Sequence, residues 1–171
     1  MVPVSVRNKV LVVILFGVLA YIIRAANLIT PLGGVFILDL RDFFVTIGAA
    51  LGGPAAGLAI GICAGFPARI PLLDIASFAT GGVAVGLTAD YLYKKGKNIS
   101  WSAMGMLCGY VVAAILAAIL GFSNQIPYLA IRAIICIPLN IIIINNLLSA
   151  FPSFRTFTRE EPPGDVRGSA P

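Results

Sequence analysis

The chain has 171 residues, of which 59% are hydrophobic and 11% charged; its net charge is +5 and its mean hydropathy +0.99. The length sets one domain, and the composition excludes water as the main solvent. There is no histidine, and Cys63, Cys108 and Cys136 lie in separate apolar segments, so they read as small buried hydrophobes. No Ser/Asp or Cys/Asp pair has a recognisable spacing, so no catalytic residue, metal site or cofactor is expected and the chain is not read as an enzyme.

Val10 to Ala26 predicts a first membrane span. Its apolar run is long for a secretory signal, lacks a small-residue cleavage site and is followed by more spans, so it is expected to remain in the protein. Asn27 to Gly34, with Pro31 and a glycine pair, predicts a loop. Val35 to Phe66 reads two ways. It is either a single span from Phe43 to Phe66 or two short spans broken at Gly52-Gly53-Pro54, where glycine frees the backbone and proline removes a donor. Leu72 to Tyr93 predicts the next span, closed by the Lys94-Lys95-Gly96-Lys97 loop. Trp101 to Gly121 and Pro127 to Phe151 predict the last two. Pro152 to Pro171 is polar, with proline, glycine and mixed charge, and reads as a disordered cytoplasmic tail outside a transmembrane domain of residues 1–151.

Charge chooses between the two counts. With Arg7 and Lys9 in the cytoplasm, a single central span would put Lys94, Lys95, Lys97 and the tail residues Arg155 and Arg159 outside, against the positive-inside bias. Two short spans return them all to the cytoplasm. The expected fold is therefore an all-α bundle of six transmembrane helices in the cell membrane, with both termini cytoplasmic. Tyr91, Tyr93 and Trp101 then form an inner aromatic belt, and Tyr128 sits at the outer interface. The basic excess is accounted for by topology, and no nucleic-acid partner is expected. Gly57, Gly61 and Gly65, the pair Gly82 and Gly86, and the series Gly105, Gly109, Ala113, Ala117 and Gly121 form ridges of small residues for close helix packing, within the chain or against a partner. In the first span Gly17, Ala20, Ala25 and Ala26 are unevenly spaced.

The remaining charges gather near the other face. Arg24 closes the first span; Asp39, Arg41 and Asp42 open the second; Arg69 and Asp74 flank a short loop; Arg132 lies about a turn and a half into the last. Asn124 and Gln125 are on the adjacent loop. Charges at membrane depth are costly unless paired or hydrated, so they face a bundle interior or cavity. They form structural pairs, for example Arg41 with Asp74 and Arg24 with Asp39, or they line an outward-facing pocket for a small solute. One positive charge is left after pairing, and Arg132, the deepest, is the candidate fork for a carboxylate or phosphate. Asp90, beside the lysines, reads as an interfacial salt bridge. Pro138 predicts a kink in the last span, with Asn140 bonding freed backbone or a neighbouring helix.

The run from Phe36 to Gly61, FILDLRDFFVTIGAALGGPAAGLAIG, resembles the second and third helices of substrate-binding S components of energy-coupling factor (ECF) transporters, with Gly53, Pro54 and Gly57 at the G-P-x-x-G junction. Pro138 and Asn140 resemble the Pro-x-Asn of that family's last helix. Covering roughly residues 8 to 151, the resemblance implies a binder of a vitamin or similar micronutrient, with its pocket near the outer face. Energy would come from an ECF transmembrane coupling protein and two ATPase subunits, since the chain carries no Walker A sequence. The Leu-Arg-Asp turn, the Gly-Gly-Pro junction and the Pro138/Asn140 helix also resemble the multi-helix membrane sensor domain of LytS-type histidine kinases. With only some twenty tail residues, that reading needs a separate output partner. A secondary transporter lacks a midplane ion site and an inverted repeat.

Overall fold

The computed structural model describes residues 4–26, 30–32, 36–66, 68 and 70–155. Arg69 and the expected disorder of the tail beyond Arg155 lie outside the described residues. In chain order the elements are α1 (Val4–Ala25), β1 (Thr30–Leu32), β2 (Phe36–Leu38), α2 (Arg41–Gly52), α3 (Pro54–Gly65) and α4 (Pro71–Lys94). A 3-10 stretch over Ile99–Gly105 runs into α5 (Met106–Ile119), and a short turn over Ser123–Gln125 leads to α6 (Ile126–Ala150). Prolines in the first turn start α3, α4 and α6, where the missing N–H costs nothing. Among the described residues, four helical segments are long and apolar enough to cross a membrane: Val6–Ala25, Pro71–Lys94, Ile99–Ile119 and Ser123–Ala150.

Three departures from the sequence reading stand out. The expected loop at residues 27–34 contributes a strand to a small antiparallel hairpin, with Thr30 opposite Leu38 and Leu32 opposite Phe36, so the fold is helical with one two-stranded addition. α1 begins before Val10, which places Arg7 and Lys9 within its first turns. Of the cysteines, only Cys136 is fully buried; Cys63 is half-buried and Cys108 lies on the outside.

The ambiguous central stretch is two helices. Gly53 has φ 82°, a conformation that side-chain-bearing residues rarely adopt, and Pro54 follows it as the first residue of α3. The helices then run back along each other: Gly52 meets Ala56, Gly57 meets Ala49 and Gly48 meets Ile60. Each has 12 residues, a rise of about 18 Å against a hydrocarbon thickness of about 30 Å. α2 can be that short because protein surrounds it: every residue except Phe44 is buried.

The glycine ridges set the remaining registers. Gly57, Gly61 and Gly65 of α3 pack against Gly82, Phe78 and Ile75 of α4, while Gly86 meets Gly53 and Pro54. Gly105 lies on Val85, and Gly109 on Ser77 and Gly81. Gly48 and Gly52 face Phe16 and Val12 of α1. Asn98 donates to Asn145 Oδ1 (3.0 Å) next to α5, and Ala113 and Ala117 pack with Leu73, Ile126 and Leu129. These ridges close helix pairs within the chain; Gly121, with φ 78° and open space around it, ends the ridge and packs on nothing. Sequence-adjacent helices therefore alternate in direction. The starts of α2, α4 and α6 share one end of the bundle with the ends of α1, α3 and α5. The start of α1 and the ends of α4 and α6 share the other end, with Arg7, Lys9, Lys94, Lys95, Lys97 and Arg155.

Candidate functional site

At the first of these ends α2 begins with two adjacent charges that point to different neighbours. Asp39, just before the helix, accepts the backbone N–H of Arg41 at 3.0 Å, the two-residue turn that aspartate side chains favour. The Arg41 guanidinium folds back on the same carboxylate, with Nε 2.9 Å from Oδ1 and Nη2 2.6 Å from Oδ2. Its Nη1 reaches the other way, to the Ala64 carbonyl at the C-terminal end of α3 (2.8 Å) and to Asp74 Oδ2 in the first turn of α4 (2.9 Å). Asp42 faces α6, where Arg132 holds it with Nε at 2.7 Å and Nη2 at 3.0 Å. Arg132 Nη2 also lies 2.9 Å from Asp39 Oδ2. Asp74, Arg41, Asp39, Arg132 and Asp42 thus form one continuous ion chain that ties α2 to α3, α4 and α6.

The chain is dry. Asp39, Arg41 and Asp42 are at most 3% exposed and Arg132 17%. The Phe78 ring forms its floor, 4.7 Å from the Arg41 guanidinium carbon and 5.1 Å from that of Arg132. Tyr110 flanks Arg132 at 5.8 Å. Such cation–π contacts are worth up to about 2 kcal/mol each when water is excluded.

Two sequence expectations are corrected here. Arg132 is not the spare cation: it carries Asp42 in a two-pronged bond and shares Asp39. Three carboxylates and two guanidinium groups leave the described ion chain with one excess negative charge. Asp39 takes Arg41 and Arg132 as partners in place of Arg24, whose buried Nε has no hydrogen-bond partner among the described residues. The pairing of Arg41 with Asp74 is present as expected. Asn124 is exposed and Gln125 half-buried on the turn before α6, and neither bonds to the ion chain. Asp90 sits with its carboxylate against Gly53, at the tip of the α2–α3 turn. Sequence reasoning missed Phe78 and Tyr110. The signal for Phe78 was its place four residues after Asp74, on the same helix face.

Asn140 also differs from expectation. Pro138 is exposed, whereas Asn140 is 0% exposed with both side-chain polar atoms unpartnered, so its amide does not bond the backbone that the proline frees. Compared with known families, curated proteins and solved structures, the chain matches none of them.

Proposed function

We propose that this chain is a multi-pass protein of the cell membrane in which all six helices cross the bilayer, with both termini cytoplasmic, and that it captures a small water-soluble nutrient such as a vitamin at the outer face. The observation that carries this reading is the buried ion chain at the end of the bundle opposite the lysine-rich collar. Ionic groups within an apolar bundle mark the paths of polar solutes, and the basic collar orients its own end towards the cytoplasm. The paired short helices α2 and α3 support an even number of crossings, because a helix enclosed by protein need not match the full bilayer thickness. In this reading the chain is the substrate-binding subunit of an ECF-type transporter, and a coupling protein and two ATPase subunits supply the energy. The test is affinity purification of the tagged chain from its native membrane, with ATP-dependent uptake measured in reconstituted vesicles. Recovery of a membrane coupling protein with two ATPases is the expected result. Recovery of a histidine kinase in their place, with no uptake, overturns transport in favour of sensing.

A further inference from the structure

The ion chain is mutually satisfied, but one to two helical turns below it the hydrogen bonding stops being satisfied. Among the described residues the hydroxyls of Thr46 and Ser102 and both polar atoms of the Asn140 amide are buried without a hydrogen-bond partner, as is the Tyr110 hydroxyl beside Arg132, and Thr46, Ser102 and Asn140 are 0% exposed. The registers place them in one column. Thr46 stands one turn below Asp42 on the same face of α2, and Asn140 two turns below Arg132 on α6, a descent of about 12 Å. Cys136, fully buried, lies between Arg132 and Asn140 on that face. The bond from Asn98 to Asn145 pins the start of the 3-10 stretch beside the lower half of α6, and from there the chain climbs through Ser102 towards the mixed-charge end. Serine and threonine in helices ordinarily bond the carbonyl one turn back, as Thr80 and Thr88 do here. Thr46 does not, and three residues with such groups buried on neighbouring elements of one core are a costly arrangement unless something bonds them.

We infer that Thr46, Ser102 and Asn140 form the solute site itself, and that the ion chain above them is its clasp. The inference rests on the reading of the chain as a solute-capturing subunit. The column supplies hydroxyls that donate or accept, an amide N–H pair that donates and a carbonyl that accepts. It supplies no formal charge. Its ligand is therefore an uncharged, water-soluble solute that both donates and accepts hydrogen bonds, as a ring amide or a polyol does; an anion finds both guanidinium groups above it already engaged.

The test is mass spectrometry of the small molecules released from the full chain after purification in mild detergent, with thermal unfolding measured alongside. The wild type is expected to hold an uncharged solute at near one per chain. Thr46→Val/Asn140→Leu is expected to lower its retention at least tenfold while melting no lower than wild type stripped of its solute, since both changes remove unpartnered polar groups and only the bound solute's own stabilisation is lost. Ser102→Ala, a smaller change, is expected to lower it at least threefold. A solute retained equally by the double variant, or an anion released only by Arg132→Gln, overturns the inference, moves the site to the ion chain and leaves solute capture standing. A wild type that holds no solute overturns solute capture, and this site with it. A double variant or Ser102→Ala that melts well below solute-free wild type gives these groups a structural role and also overturns it.

Discussion

Removing Arg132 separates a clasp from an incidental contact. Arg132→Met keeps most of the side-chain volume and deletes the charge. Asp39 would still have Arg41, but Asp42, 0% exposed, would lose both of its charged bonds and be left as an unpaired carboxylate in the core. Breaking one side of a buried pair costs about 3–5 kcal/mol. Asp42→Leu leaves Arg132 with Asp39 and should cost less, about 2 kcal/mol, chiefly for the two lost charged bonds. The double variant removes both charges together, so its cost should fall below the sum of the singles by at least about 2 kcal/mol. The assay is reversible unfolding in mixed detergent micelles, followed by circular dichroism, on the four proteins of the cycle. Single-variant costs that simply add, or an Arg132→Met cost below about 1 kcal/mol, would show that water reaches this pair, and the dry clasp would have to be abandoned.

The other outcomes are more local. Gly61→Ala would drive a methyl group into the Phe78 carbonyl of α4 and should cost about 1–3 kcal/mol. Gly17→Ala meets only Cys63, with its sulfur at 3.6 Å, and should be neutral or stabilising by up to about 1 kcal/mol; melting temperatures of the pair check both. Cysteines placed at Lys95 and Arg155 should react with an impermeant thiol reagent from the same side of the membrane.

The long helices were legible because their apolar runs match a span and end in lysines, prolines or glycines. The break between α2 and α3 was legible as a possibility in Gly52-Gly53-Pro54. The charge pattern chose two spans over one, and Gly53 at φ 82° with the return packing of Gly57 on Ala49 excludes a continuous helix. The hairpin was not legible, since three-residue strands leave too short a pattern to read. The charged residues were legible as a group, and the pair of Arg41 with Asp74 with them; the partner expected for Asp39, Arg24, was misread. Pairing Arg132 with Asp42 joins residues 90 positions apart and depends on α6 lying beside α2. Pairing Asp39 with Arg41 was written locally, in an aspartate two residues before an arginine at a helix start, but was passed over for a partner on another helix.

The two ends of the core differ in a way that bears on capture against conduction. From the mixed-charge end inward, α2 and α6 present Asp42 and Arg132, then Thr46 and Cys136, then Asn140. Below Asn140 the buried residues become mostly apolar: Leu51 on α2, Ile144 and Leu148 on α6, Ile99 in the 3-10 stretch and Val12 on α1 share one packed cluster, with Ser100 a buried polar residue beside Ile99. Asp90 lies nearby against the α2–α3 turn, close to the lysine collar. A polar solute entering past the ion chain would find hydrogen-bonding groups for about two turns and then a tight apolar layer, which favours binding and opposes onward passage. A continuous pore would need polar groups through that layer as well. Release towards the basic end would therefore require the helices themselves to move, and the glycine contacts between α3 and α4 bring two backbones close enough that such motion is one of whole helices, not of side chains. If the chain captures a solute as proposed, this arrangement would hold it and leave its delivery to a partner.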